Sequence, residues 1–156
     1  MLAFRSLPMP FTAKTEYGLV ALIDLADSYA SGSLVQSGEI CQRHRIPERY
    51  LEQMLTSLRK GGLLRSIRGP RGGFQLIRDP ASITVSEVVA CLEGEASQAQ
   101  RSAPRDAESR DAEFSVLAAL DVRAEQARLT VLSNTSLADL LRERESLESP
   151  LPMFYI

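Results

Sequence analysis

The chain has 156 residues, 44% hydrophobic and 24% charged, with a formal net charge of −2. That is one domain's length with a self-sufficient core, and it excludes fibrous and low-complexity classes. No apolar run approaches the length of a membrane-crossing helix.

Two cysteines, Cys41 and Cys91, and one histidine, His44, bound the chemistry further. They cannot build a disulfide framework, a four-ligand metal site of their own, or any multi-histidine site. Residues 1–11 lack the apolar core of a secretory signal, so the reducing cytoplasm is the expected compartment. No convergent acid, base and nucleophile set is present, so an enzyme is not expected.

The net charge conceals an asymmetry. Between Arg43 and Arg78 there are nine basic and two acidic side chains, a net of +7, and the remaining 120 residues carry −9. A concentrated basic segment on an acidic body is the footprint of a polyanion-binding surface.

Thr12 predicts the cap of a first helix from Ala13, apolar over much of its surface through Tyr17, Leu19, Leu22, Ile23 and Ala26. Ser31-Gly32-Ser33 ends it. A short helix follows over Gly38–His44, then the turn Arg45-Ile46-Pro47, with Pro47 expected at the first position of the next helix. His44, beside that turn, is expected to face phosphate or solvent. Ile46, Leu51, Met54, Leu55 and Leu58 make one stripe along the next helix, and Gly61-Gly62 stops it. Leu63–Ile77 reads as two short strands around a Gly-Pro-Arg-Gly-Gly turn. Thr84 or Ser82 caps a helix over Val85–Leu92. From Glu95 to Glu113 no large apolar residue occurs, which predicts a flexible loop. A long helix from Phe114 to Leu132 and a last helix capped by Thr135 or Ser136 complete the chain, followed by an apolar tail over 150–156.

Two short helices joined by a tight turn and followed by a β-hairpin form a winged helix-turn-helix. The fold class expected is mainly α with a small hairpin wing, plus a long C-terminal dimerisation helix. The expected domains are a DNA-binding head over 10–94, the loop 95–113, dimerisation helices over 114–149 and the tail. The second helix of the pair suits the major groove and presents Arg49, Tyr50 and Gln53, with Arg suited to guanine and Gln to adenine. Arg68, Gly69, Arg71 and Gly72 in the hairpin loop suit a narrow groove or phosphate oxygens. Arg59, Arg65 and Ser66 complete the candidate DNA-binding set. Each has a plainer reading, in which Tyr50 is a half-buried packing residue and the glycine loop an ordinary tight turn. The order of basic helix, double glycine, strand, arginine-glycine loop and strand favours DNA.

The run Pro47 to Phe74, with Thr15-Glu16-Tyr17-Gly18-Leu19, Ile83–Val88 and Ser136–Leu141, resembles the Rrf-two family of transcription regulators. The resemblance implies a homodimer on a palindromic operator in double-stranded DNA, with Tyr50, Glu52 and Gln53 in the recognition helix and Arg68 in the wing. Some members hold a 2Fe-2S cluster on three cysteines in the loop after the wing's following helix. Here 95–113 has no cysteine, so no cofactor is expected, and Cys41 and Cys91 read as core residues. The alternatives are a sensor with atypical ligands, Cys91 and Glu16, or control by a small-molecule or protein effector.

Overall fold

The computed structural model describes residues 11–101 and 111–149, with the backbone path alone for 95–101. The apolar tail expected over 150–156 lies outside the described residues.

Helix α1 (Ala13–Asp27) is capped by Thr12, whose side chain accepts from the Thr15 amide at 3.2 Å. Helix α2 (Ser37–His44) ends on Arg45 in the left-handed region, φ 54°. Helix α3 (Glu48–Lys60) follows. Pro47 stands one place outside α3 as its N-cap, with extended backbone, rather than at its first helical position. The difference is small physically, since neither position requires an amide proton. Leu51, Met54, Leu55 and Leu58 are all buried, as the stripe requires.

Strands β1 (Leu64–Ile67) and β2 (Gly73–Leu76) pair antiparallel, with Leu64 opposite Leu76 and Ile67 opposite Gly73. Val35 adds a further antiparallel bridge to Phe74, which anchors the hairpin to the loop before α2. Gly73 admits this approach, because a Cβ there would lie 2.7 Å from the Val35 carbonyl oxygen.

After a 3-10 turn at Pro80–Ser82, helix α4 (Val85–Arg101) is capped by Thr84, whose hydroxyl accepts from the Glu87 amide. Here the structure corrects the sequence reading. The backbone does not enter a loop at Glu95 but breaks at Gly94 (φ 66°, ψ 179°) and resumes as helix to Arg101. Ala, Glu, Gln and Arg are strong helix formers, and absence of large apolar residues does not by itself end a helix. Of the rest of the expected loop, 102–110 lies outside the described residues, and 111–113 form the cap and first residues of the next helix.

Helix α5 (Ala112–Ser133) is capped by Asp111, and helix α6 (Leu137–Glu148) by a reciprocal capping box between Ser136 and Asp139. Leu137 is fully buried and its amide donates to the Ile83 carbonyl, while the Val85 amide donates to Thr135. Helix α6 therefore packs on α1 as part of the head's own core rather than with α5 as a separate arm. Helix α5 is the outlier. Within it only Leu132 is buried, while Phe114, Val116, Leu117, Leu120, Val122 and Val131 are each more than half exposed.

Candidate nucleic-acid interface

The candidate residues lie on helix α3 and on the hairpin that follows it. Burying Leu51, Met54, Leu55 and Leu58 turns the opposite face outward, so Arg49, Tyr50 and Gln53 are exposed on the first turns of α3. Tyr50 is 52% exposed, leaving about half of its surface open to solvent. A large exposed aromatic beside an arginine and a glutamine offers stacking and bidentate hydrogen bonding at one place.

The wing tip is built by Gly69-Pro70-Arg71-Gly72, with the Gly72 amide donating to the Gly69 carbonyl at 2.9 Å. Pro70 sits where a turn favours a fixed φ. Gly72 differs from expectation. It is buried, its amide closes the turn, and a Cβ there would lie 2.0 Å from the Ile67 carbonyl oxygen. It shapes the tip rather than offering its N–H to a phosphate. Gly69 is open, at φ 122° with nothing within 4 Å of a built Cβ, and Arg68 and Arg71 beside it are exposed.

The nine cations of the basic segment divide by their partners. Arg43 donates to Asp24 at 3.0 Å and Arg78 pairs with Glu87. Arg59 reaches the Ser66 hydroxyl at 3.4 Å, tying the end of α3 to β1. Arg65 donates twice to the Gln75 side-chain carbonyl, at 2.9 and 2.6 Å, and Gln75 donates on to the Gly32 carbonyl. These bonds stiffen the wing. Arg45, Arg49, Lys60, Arg68 and Arg71 are exposed and without a hydrogen-bond or ion-pair partner among the described residues. His44 was expected toward phosphate or solvent, whereas its Nε2 lies 2.7 Å from the buried Asp24 carboxylate.

An iron–sulfur cluster is commonly held by a set of thiolates, and the sequence has two cysteines. Cys91 donates its S–H to the Ser57 carbonyl at 3.4 Å, and burial, then Glu87, pushes its thiol pKa up. Burial, then Glu48 and Glu52, does the same to Cys41 on α2. Among the described residues no group of three metal-ligating side chains comes together. Glu16 lies in the first turn of α1 with no such partners. No described helix is long and apolar enough to cross a membrane.

The chain matches the Rrf2 family model, described as iron-dependent transcriptional regulator, over residues 11–143. The chain belongs to the Rrf-two (Rrf2) family. It is 33% identical to the transcriptional regulator CymR of Bacillus subtilis over 148 residues, 95% of this chain and all of that protein. It is 43% identical to the regulator IscR of Cereibacter sphaeroides over 86 residues, a stretch spanning 54% of this chain and 56% of IscR. In solved structures it is similar to T. potens IscR, with a TM-score of 0.76 at 31% identity over 97% of this chain and 99% of that one. The CymR structure, titled the global cysteine regulator of B. subtilis, gives a TM-score of 0.70 at 31% identity, over 87% and 98%. This Rrf-two protein is thus a winged-helix, DNA-binding transcription regulator of a non-enzymatic family.

Proposed function

We propose that this regulator binds a palindromic operator in double-stranded DNA as a homodimer, through α3 and the wing, without the three-cysteine cluster found in part of its family. The observation that carries the interface is the set of exposed cations without a partner among the described residues, Arg45, Arg49, Lys60, Arg68 and Arg71, on the helix-turn-helix and wing that also expose Tyr50 and Gln53. Arg49, Tyr50 and Gln53 read bases. Arg68 and Gly69 approach a groove or its backbone, and Arg71 and Lys60 meet phosphates. Arg59, Ser66, Arg65 and Gly72 hold the wing in shape. The test is Arg68→Ala in a salt-titrated gel shift with a duplex selected by the wild-type protein from a random library. Loss of specific binding by a folded dimer supports this assignment, and unchanged binding refutes it.

The dimer reading rests on α5. At about 3.6 residues per turn, Val116, Leu117, Leu120 and Val131 fall on one face, all more than half exposed. A second copy of the same helix covers such a face symmetrically. Leu117→Glu is expected to give a monomer in analytical ultracentrifugation at concentrations where wild type is a dimer.

The donor set favours control by a small molecule or partner protein in the cytoplasm over a cluster on Cys91 and Glu16. Iron and sulfide assayed on anaerobically purified protein decide between these readings. Stoichiometric iron would overturn the cluster-free reading.

A further inference from the structure

Asp24 is the buried acid of the described core, 2% exposed, in the last part of α1. A carboxylate removed from water needs charged or hydrogen-bonding partners. Three side chains supply them, from two other helices: the guanidinium groups of Arg43 and Arg144 and the imidazole of His44. Arg43 Nη1 and His44 Nε2, at the end of α2, lie 3.0 and 2.7 Å from Oδ2. Arg144 Nη1, from α6, lies 3.7 Å from Oδ1, and its Nη2 donates to Asp27 at 2.9 Å. The hydrogen bond to Asp27 favours the charged guanidinium, and Glu148 lies 3.8 Å from its Nε.

The position matters more than the number of contacts. Arg43 and His44 are the last residues of α2, and only Arg45, Ile46 and Pro47 separate them from α3. The carboxylate therefore fixes the point from which the chain turns into the recognition helix. Through Arg144 the same carboxylate is tied to α6, which continues from α5 through a three-residue link. Among the described residues, the Asp24 carboxylate on α1 joins Arg43 and His44 of the helix-turn-helix to Arg144 of α6.

We propose that Asp24 is a positioning residue for DNA binding, registering the helix-turn-helix against α6 so that the C-terminal helix sets the angle at which α3 is presented. It touches no DNA. It acts through Arg43 and His44.

The test measures affinity for the selected duplex by fluorescence anisotropy across a salt series. Variants are Arg144→Gln, His44→Gln, their double, Arg144→Lys and Asp24→Asn, each with circular dichroism as a folding control. Each single Gln variant is expected to bind roughly threefold to tenfold more weakly. The double should lose less than the product of the singles, because both act through one carboxylate. Arg144→Lys should retain wild-type binding, since it keeps the charge. The salt slope should not change, because no phosphate contact is removed. A folded Asp24→Asn should show the full loss. If it does not fold, the cycle between His44 and Arg144 decides alone. Wild-type affinity in Arg144→Gln, strictly multiplicative losses, or a salt slope lowered by about one in His44→Gln would overturn the proposal. Loss of binding in Arg68→Ala beside a wild-type Arg144→Gln would leave the DNA surface standing and reject the Asp24 role alone.

Discussion

The thiol of Cys91 occupies the space that a side chain on Gly61 would need. A Cβ built on Gly61 would lie 2.3 Å from Cys91 Sγ but 3.6 Å from its Cβ, the latter an ordinary contact. The end of α3 thus meets α4 at this sulfur atom, whose S–H also donates to the Ser57 carbonyl. Gly61 has ordinary right-handed backbone, φ −74°, so an alanine there would suffer from contact rather than from conformation. Gly61→Ala should destabilise the protein by about 1–3 kcal/mol, the range for overpacking. Adding Cys91→Ala should recover much of that loss, measured by urea unfolding. Additive losses in the double variant would show that the two residues do not compete for space.

The same burial governs thiol chemistry. The pKa values of Cys91 and Cys41 are both raised, chiefly by burial, with nearby glutamates adding to it. A raised thiol pKa leaves less of the reactive thiolate at neutral pH. Both should be alkylated by iodoacetamide more slowly in the folded protein than in denaturant, at a rate that climbs with pH. Mass spectrometry of each cysteine over time is the check. Rapid modification of Cys91 at neutral pH would contradict its placement under α3.

The arginines of the basic segment should not behave alike. Arg49 and Arg71 are exposed and have no partner among the described residues, so replacing either with alanine should weaken DNA binding and lower the salt slope by about one. Arg65 is bonded to Gln75, and through it to Gly32. Arg65→Ala should weaken binding with the slope unchanged, by loosening the wing. A salt titration separates the two outcomes.

The Ser136–Asp139 capping box sets the start of α6, and with it the register that brings Arg144 to Asp24. Ser136→Ala should cost about 1 kcal/mol, as for other N-caps. Hydrogen bonds from the Ser136 amide and hydroxyl hold the Asp139 carboxyl pKa below its ordinary value. A carboxyl favoured in its ionised form stabilises the fold above its unfolded pKa. That contribution disappears as pH falls through the lower, folded value. The stability gap between wild type and Asp139→Asn should accordingly be open at neutral pH and close in acid, followed by thermal unfolding across the acid range.

The local elements are legible in the chain alone. The stripe Leu51, Met54, Leu55 and Leu58 specifies α3 and its outward face, because helical periodicity is written within a few residues. Caps at Thr12, Thr84 and Ser136 and the turn at Gly69–Gly72 are local in the same sense. So is the exposure of Arg49, Tyr50 and Gln53 on α3 and of Arg68 and Arg71 in the hairpin loop, since each lies opposite or outside a short buried pattern. The break at Gly94 without the end of α4 was not legible, because a glycine permits a change of backbone direction without specifying the conformation of the residues after it. Which cations are free and which are held depends on packing between distant elements. Asp24 meets His44 across 20 residues and Arg144 across 120, and Cys91 meets Gly61 across 30. No periodicity records such pairings. They exist because α1, α4 and α6 pack around one core, and close packing leaves a buried carboxylate and a partly buried sulfur only the neighbours that the packed helices bring.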